Sequence, residues 1–385
     1  MYEKLKILLV LQTPWGTSLG MSKVHYELKK AYENMGHEVD YLDAMKIYPR
    51  GKKVINYIVG TKNIQERIFD FLKDNACKYD VIDANQRCVP YPKEKFGFKG
   101  KLIYRSHGLP PVYRIAEQHP LYKKMENRFK VNHKASLRSH IGNLKKYLMQ
   151  GAGEWAFWDS IKYADIVHVL NRIEYDYLKA YGVPEEKLRL VPNGLDDEYI
   201  EKGRECINTI SGRTEVSFVG SWTVRKGVDF LPEIADKLID SVNAFNIIGT
   251  GGTKEAILTN FKRSDIRINV YPYFHIKELP SILINTKVGI FPSFVEGFGL
   301  AIIEQLALGI PVIAFDIPGP AEILKPIDDT LIVPLGDVNG LIERINMLLS
   351  ISDDSYRKIA EKCIARAQDF KNVKIAERFI EIYKS

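Results

Sequence analysis

The 385-residue chain has only four cysteines, Cys77, Cys88, Cys206 and Cys363, scattered far apart. None are spaced as a metal-binding pair, so zinc and a disulfide framework are not expected, and the usage suits a reducing compartment. No apolar run of about 18 residues free of charge and proline occurs, so no membrane-spanning helix is expected. The opening "MYEKLKILLVLQTP" lacks a cleavable secretory pattern and reads as a charged lead into a buried strand. These absences point to the cytoplasm. Internal repeats and low-complexity tracts are also missing, and no nucleic-acid-binding motif accompanies the charge, so nucleic acid is not an expected partner. What remains is an ordinary globular composition, long enough for about two domains.

The net charge of +7 hides an asymmetry. Residues 1–195 carry 33 Lys and Arg against 21 Asp and Glu, whereas residues 196–385 carry 22 against 27. Residues 113–150 alone contribute nine basic and two acidic side chains. Within them Leu137, Ile141, Leu144 and Leu148 recur at four- and three-residue steps, with Arg138, Lys145 and Lys146 between. This predicts an amphipathic basic helix, suited either to an anionic membrane surface or to burial of its leucines in the domain.

Apolar strand-like runs alternate with helical patterns along the whole chain. The runs are "KILLVL", "EVDYLD", "DVIDAN", "KLIYRSH", "DIVHVL", "LRLVPNG", "VSFVGS", "FNIIGTG", "RINVYP", "VGIFPS" and "PVIAFD". Such alternation implies parallel sheets covered by helices, and this many strands divide better between two α/β domains than into one sheet. The expected boundary follows "VPNGLDDEYI", giving domains over 1–197 and 198–365 and a closing helix over 366–385 that returns towards the first. Open parallel sheets bind ligands at the carboxyl ends of their strands, so two facing domains would form a cleft. Glycine-rich loops sit at such ends in "TPWGTSLGMS", "VGSWTVRKG" and "GTGG", where backbone N–H groups could approach phosphate oxygens. None completes the dinucleotide or Walker pattern.

In "PSFVEGFGLAIIEQLALGIPVIAF", residues 292–315, two glutamates stand eight positions apart, Glu296 and Glu304. A strand ending at Phe291, a helix from about Gly299 to Gly309 and a strand after Pro311 would place Glu304 among Leu300, Ala301, Ala307 and Leu308. A carboxylate there either faces solvent or lines a cleft and accepts ligand hydroxyls.

This stretch resembles the E-x7-E block of retaining GT-B glycosyltransferases of family four, with Gly-Phe-Gly between the glutamates and Ala-x-Gly-x-Pro after them. Other segments match the same family: "KVHYELKKAYENMGHEV", "ADIVHVLNRIEYDYLKAYGVPEEKLRLVPNGLD" with Asn193, Gly194 and Asp196, and "GPAEIL". The resemblance covers nearly the whole chain and implies a GT-B fold of two facing Rossmann-like domains with parallel sheets and an interdomain cleft. Two departures stand out. The first of the family's paired N-terminal glycines is Leu19, leaving Gly20 to approach phosphates, and the usual phosphate-binding arginine is Ser221 in "GSWTVRKG".

By resemblance, Glu304 holds the nucleotide ribose, while Glu296 and the backbone of Phe298, Gly299 and Leu300 hold the transferred sugar. Lys226 stabilises the leaving diphosphate, with Arg225 either replacing the charge missing at Ser221 or facing the surface, and His107 in "YRSHGLPP" lies near the reacting sugar. The implied donor is a nucleotide sugar, either a UDP-sugar or a GDP-sugar, its base near Tyr271 to Ile276. Neither a metal nor another cofactor is expected, and the implied transfer retains anomeric configuration. A basic N-terminal half suggests a glycan or lipid-linked acceptor, as in surface polysaccharide or glycolipid assembly on the inner face of a membrane. Two rival readings are a nucleotide-sugar-binding protein without transfer, supported by Ser221, and a GT-B nucleotide-sugar epimerase.

Overall fold

The computed structural model describes residues 4–17, 20–47, 64–132, 154–238, 240–261 and 267–385. The helix expected around Leu137 to Leu148 lies outside the described residues, as does Leu19.

All eleven apolar runs form strands: β1 (Lys6–Val10), β2 (Glu38–Leu42), β3 (Val81–Asn85), β4 (Lys101–Arg105), β5 (Ile166–Val169), β6 (Leu188–Leu190), β7 (Glu215–Val219), β8 (Phe245–Ile248), β9 (Ile268–Tyr271), β10 (Thr286–Phe291) and β11 (Val312–Phe315). A twelfth, β12 (Ile332–Val333), is two residues long, too short for a period to register. The central strands are buried on both faces, which is why they read as unbroken apolar runs rather than as alternating ones.

The strands form two six-stranded parallel sheets, ordered β2-β1-β3-β4-β5-β6 and β12-β11-β10-β7-β8-β9. Strand order reverses between β1 and β3 in the first sheet and between β7 and β10 in the second. In open parallel sheets, ligands bind outside the carboxyl ends of the strands at such switch points. In the second sheet the loops concerned are the glycine-rich segment after β7 and the glutamate segment after β10.

Two compact units result, one built from Met1–Leu109, Ala135–Gly194 and Asn372–Ser385, the other from Pro110–Lys134 and Leu195–Lys371. Their extents differ from a simple division after residue 197. The helices Pro110–Glu117 and Pro120–Asn132 pack within the second unit, where the Tyr122 ring meets Phe294 edge-on at 5.2 Å between centroids. Sequence proximity to β4 gives no sign of this.

Within the first unit the closing helix Asn372–Lys384 packs on the helix Gly20–Asn34, joined by a 3.0 Å hydrogen bond between the hydroxyls of Tyr32 and Tyr383. Beneath them Arg105 and Asp83, both nearly inaccessible, form a salt bridge, and the Tyr383 hydroxyl donates to the same carboxylate. Burial alone would raise the Asp83 pKa, but the Arg105 charge and these bonds hold it below the usual carboxylate range. A buried charge of this kind is tolerated because it is paired and its lone pairs are used.

Candidate active site

In the second unit, β10 ends at Pro292 and the chain turns through Gly299, whose φ of +114° precedes the helix Leu300–Ala307. No side chain caps this helix, and Ile302 N–H turns back onto Gly299 O at 2.9 Å, so only the N–H groups ahead of Ile302 could meet an anion or a polar ligand. Ile302 through Ala307 are all buried. Glu304 is among them at 7% exposure, which rejects a solvent-facing position. Its main-chain carbonyl accepts the Tyr199 hydroxyl at 3.2 Å, and burial with the nearby Glu304 charge drives that phenol's pKa well up.

The loop after β7 is pinned to the loop after β8. Gly220 N–H donates to Ile248 O at 2.8 Å and Trp222 N–H to Thr250 O at 3.0 Å. The turn then closes on Gly227 in the left-handed region, φ +69°, where a β-carbon would lie 1.8 Å from the Pro292 carbonyl oxygen. Only glycine allows this approach, and it seats Arg225 and Lys226 against the glutamate loop. Phe294 N–H donates to Arg225 O at 2.9 Å. One oxygen of Glu296, Oε1, receives both Lys226 Nζ at 2.6 Å and Arg225 Nη1 at 2.8 Å. The Arg225 guanidinium also lies 5.5 Å from the Tyr113 ring centroid and reaches Val295 O at 3.3 Å, with 32% of its side chain still exposed. Ser221 is exposed and brings no charge to this cluster.

Thus Glu296, Arg225 and Lys226 meet directly, and Phe298, Gly299, Leu300 and Glu304 follow on the same loop and helix. Phe298 is buried, and its carbonyl lies 2.7 Å from where a β-carbon on Gly319 would stand. "GPAEIL" therefore packs closely against the turn because Gly319 has no side chain. Among the described residues no cluster of three or more His, Cys, Asp and Glu side chains could hold a metal.

His107 and Gly20 belong to the first unit. Gly20 starts its helix in an exposed position. His107 follows β4 and its Nε2 donates to Asn85 Oδ1 at 2.7 Å, at the end of β3. Burial, with the fixed charge of Arg105 adding to it, pushes its pKa well down, so the ring is neutral. Two neighbouring histidines are buried and neutral as well: His25, 5.1 Å from the His107 ring, has its pKa lowered to about 4, and His168 to about 3, chiefly by burial.

Sequence reasoning missed Glu174, which is 1% exposed and organises the His107 loop. Its carboxylate accepts Leu109 N–H at 3.0 Å, Ser106 Oγ–H at 2.9 Å and Leu170 N–H at 3.0 Å. The signal was present in "NRIE", since Asn171 caps the helix Arg172–Ala180 by accepting Glu174 N–H. A capping pattern after a strand places its fourth residue back over the strand end. Asn85, Asp83 and Arg105 were also missed, although polar residues inside "DVIDAN" and "KLIYRSH" break otherwise apolar runs.

Residues 213–350 match the family described as Glycosyl transferases group 1. The chain is 24% identical over 239 residues to the O-antigen chain mannosyltransferase B of Escherichia coli, covering 59% of this chain and 61% of that one. It is 24% identical over 379 residues to the poly(ribitol-phosphate) alpha-N-acetylglucosaminyltransferase of Staphylococcus aureus, covering 84% and 75%. The structure of Anabaena HepE in complex with UDP and glucose aligns with a TM-score of 0.66 at 16% identity, over 99% of this chain and 100% of that one. The chain spans about three fifths of the length of the curated relatives it matches first, 62%, 61% and 63%.

Proposed function

We propose that this chain, a GT-B protein of the group 1 glycosyltransferase type, moves a hexose-type sugar from a nucleoside diphosphate donor to a glycan or lipid-linked acceptor, retaining anomeric configuration. The observation that carries the reading is the convergence of Arg225 and Lys226 on the loop that leads into an uncapped helix bearing the buried Glu304. In this reading negative charge develops on the diphosphate as its bond to the sugar C1 breaks. Two fixed cations and a helix N-terminus aimed at that charge lower the barrier without a metal. Glu304 takes the ribose hydroxyls, Glu296 and the backbone from Phe298 to Leu300 take the sugar, and Gly20 approaches the phosphates. His107 acts as a neutral imidazole. With Nε2–H committed to Asn85, its Nδ1 is the atom available to accept a substrate hydroxyl proton bond.

The donor base and the acceptor are open to experiment. HepE was solved with UDP and glucose, and the Staphylococcus aureus relative is named for a polyanionic acceptor. A basic N-terminal half suits an acceptor of that charge. Among the described residues no helix is long and apolar enough to cross a membrane, so attachment to a lipid-linked acceptor would be at the surface. The cytoplasmic face remains the proposed location.

The deciding test is slow hydrolysis of a panel of UDP- and GDP-sugars by the purified chain, with Glu304→Ala as control. Turnover of one donor, lost in the variant, supports transfer and identifies the donor. Donor conversion to an epimer with no acceptor would favour the epimerase instead. Tight binding without turnover in the presence of glycan acceptors would favour a binding protein.

A further inference from the structure

The two cations assigned to the leaving diphosphate already hold an anion, and it belongs to the chain itself. Glu296 is partly buried, its side chain 10% exposed, and Lys226 and Arg225 both donate to its Oε1. Two charged donors from successive residues meeting on one oxygen is the arrangement by which a phosphoryl oxygen is held. The cations are held from behind. The Lys226 ammonium lies 5.0 Å from the Phe291 ring centroid, the Arg225 guanidinium faces Tyr113, and the Arg225 carbonyl is bonded to Phe294 N–H. Both therefore stay in place when the anion changes.

We propose that Glu296 is a built-in stand-in for the leaving diphosphate. The donor's phosphates take over Arg225 and Lys226, and the displaced carboxylate turns to the sugar hydroxyls, an exchange that rests on the transferase reading above. A nucleotide sugar completes both halves of the exchange, because it supplies phosphate oxygens to the cations and hydroxyls to the carboxylate. A nucleoside diphosphate supplies only the first. It leaves a desolvated carboxylate beside like charge with no donor to satisfy it, and such a group is costly. The site consequently prefers the sugar-bearing donor to its own product, and departure of the sugar re-forms the internal ion pairs and expels the diphosphate.

The test is calorimetric titration of UDP, GDP and their sugar conjugates into the wild-type chain and Glu296→Gln. With the competing charge removed, the nucleoside diphosphate recognised by the wild type should bind at least about tenfold tighter, as expected for close charge pairs. Its sugar conjugate should gain less, so the wild-type preference for the conjugate narrows or reverses. A diphosphate affinity unchanged or weakened in a folded Glu296→Gln protein overturns the proposal and leaves the transferase reading intact. Should that variant fail to fold, Glu296→Asp keeps the charge but withdraws it by one methylene, and tighter diphosphate binding is again required. If the wild type binds neither nucleoside diphosphate nor conjugate, both readings fall.

Discussion

Gly227 and the Pro292 carbonyl oxygen are in such close approach that a β-carbon on residue 227 would sit 1.8 Å from that oxygen. Backbone is pressed on backbone, so neither side can yield by changing a rotamer. The contact locks the turn carrying Arg225 and Lys226 to the loop carrying Glu296. Gly227→Ala adds a left-handed strain of about 1–2 kcal/mol to this clash. It should lower the urea midpoint and, by separating the two loops, reduce donor hydrolysis more than the stability loss alone would at 25 °C. Denaturation curves and initial rates on the same preparation check both parts.

Glu174→Ala removes the acceptor of Leu109 N–H and the Ser106 hydroxyl, on either side of His107, and of Leu170 N–H after β5. Buried donors left without a partner cost about 1–3 kcal/mol each before relaxation. The expected result is a clear loss of stability with faster amide exchange at Leu109 and Leu170. Glu174→Gln should recover part of it, because an amide oxygen still accepts one bond. Hydrogen exchange followed by mass spectrometry or NMR reads the effect directly.

Stability should fall as the medium is acidified below about pH 6.5, partly because of buried histidines. The folded pKa of His25 is depressed to about 4, so the folded state binds its proton later than the unfolded chain does. Its contribution is complete above the unfolded value and is lost as pH falls from about 6.5 to about 4. For His25 this amounts to about 3 kcal/mol, and His168 acts in the same direction down to about pH 3. Urea midpoints at pH 7.5, 5.5 and 4.5 should decline, and His25→Asn should flatten the decline.

Arg225→Met should leave the fold nearly unchanged, since Lys226 still pairs with Glu296. Loss of one positioned donor to a developing oxyanion costs on the order of 100–1,000-fold in turnover. Adding Ser221→Arg to that variant places a cation at an exposed position on the same loop. If Arg225 supplies the charge missing at Ser221, the double variant should regain turnover above Arg225→Met alone. No regain would mean that the two positions do not serve the same phosphate. Kinetics of the four combinations at two ionic strengths decide this.

Much of the site was legible because its signal is local. The Glu296 to Glu304 spacing, the glycine at each end of the helix and the apolar strand before it are all contained within 24 residues, and the structure keeps their order. Arg225 and Lys226 reach the neighbouring loop by sheet pairing instead, since β7 and β10 are adjacent at a switch point. Glu174 was overlooked because two of its partners, Leu109 and Ser106, lie 65 and 68 residues earlier, on a loop that only sheet pairing brings under it.

The amino-acid sequence by itself determined eleven of the twelve strands among the described residues, the two-sheet α/β class and the glutamate block. Each of these depends on periodicity or on residues close in the chain. Tertiary structure alone decided that Pro110–Lys134 packs with the second unit and that Tyr383 closes over Asp83 and Arg105. It also decided that Glu296 is held by the cations expected to meet a phosphate. These depend on which surfaces become neighbours when apolar faces are buried. A charged side chain then takes the nearest opposite charge that the packing supplies, and no local pattern encodes that choice.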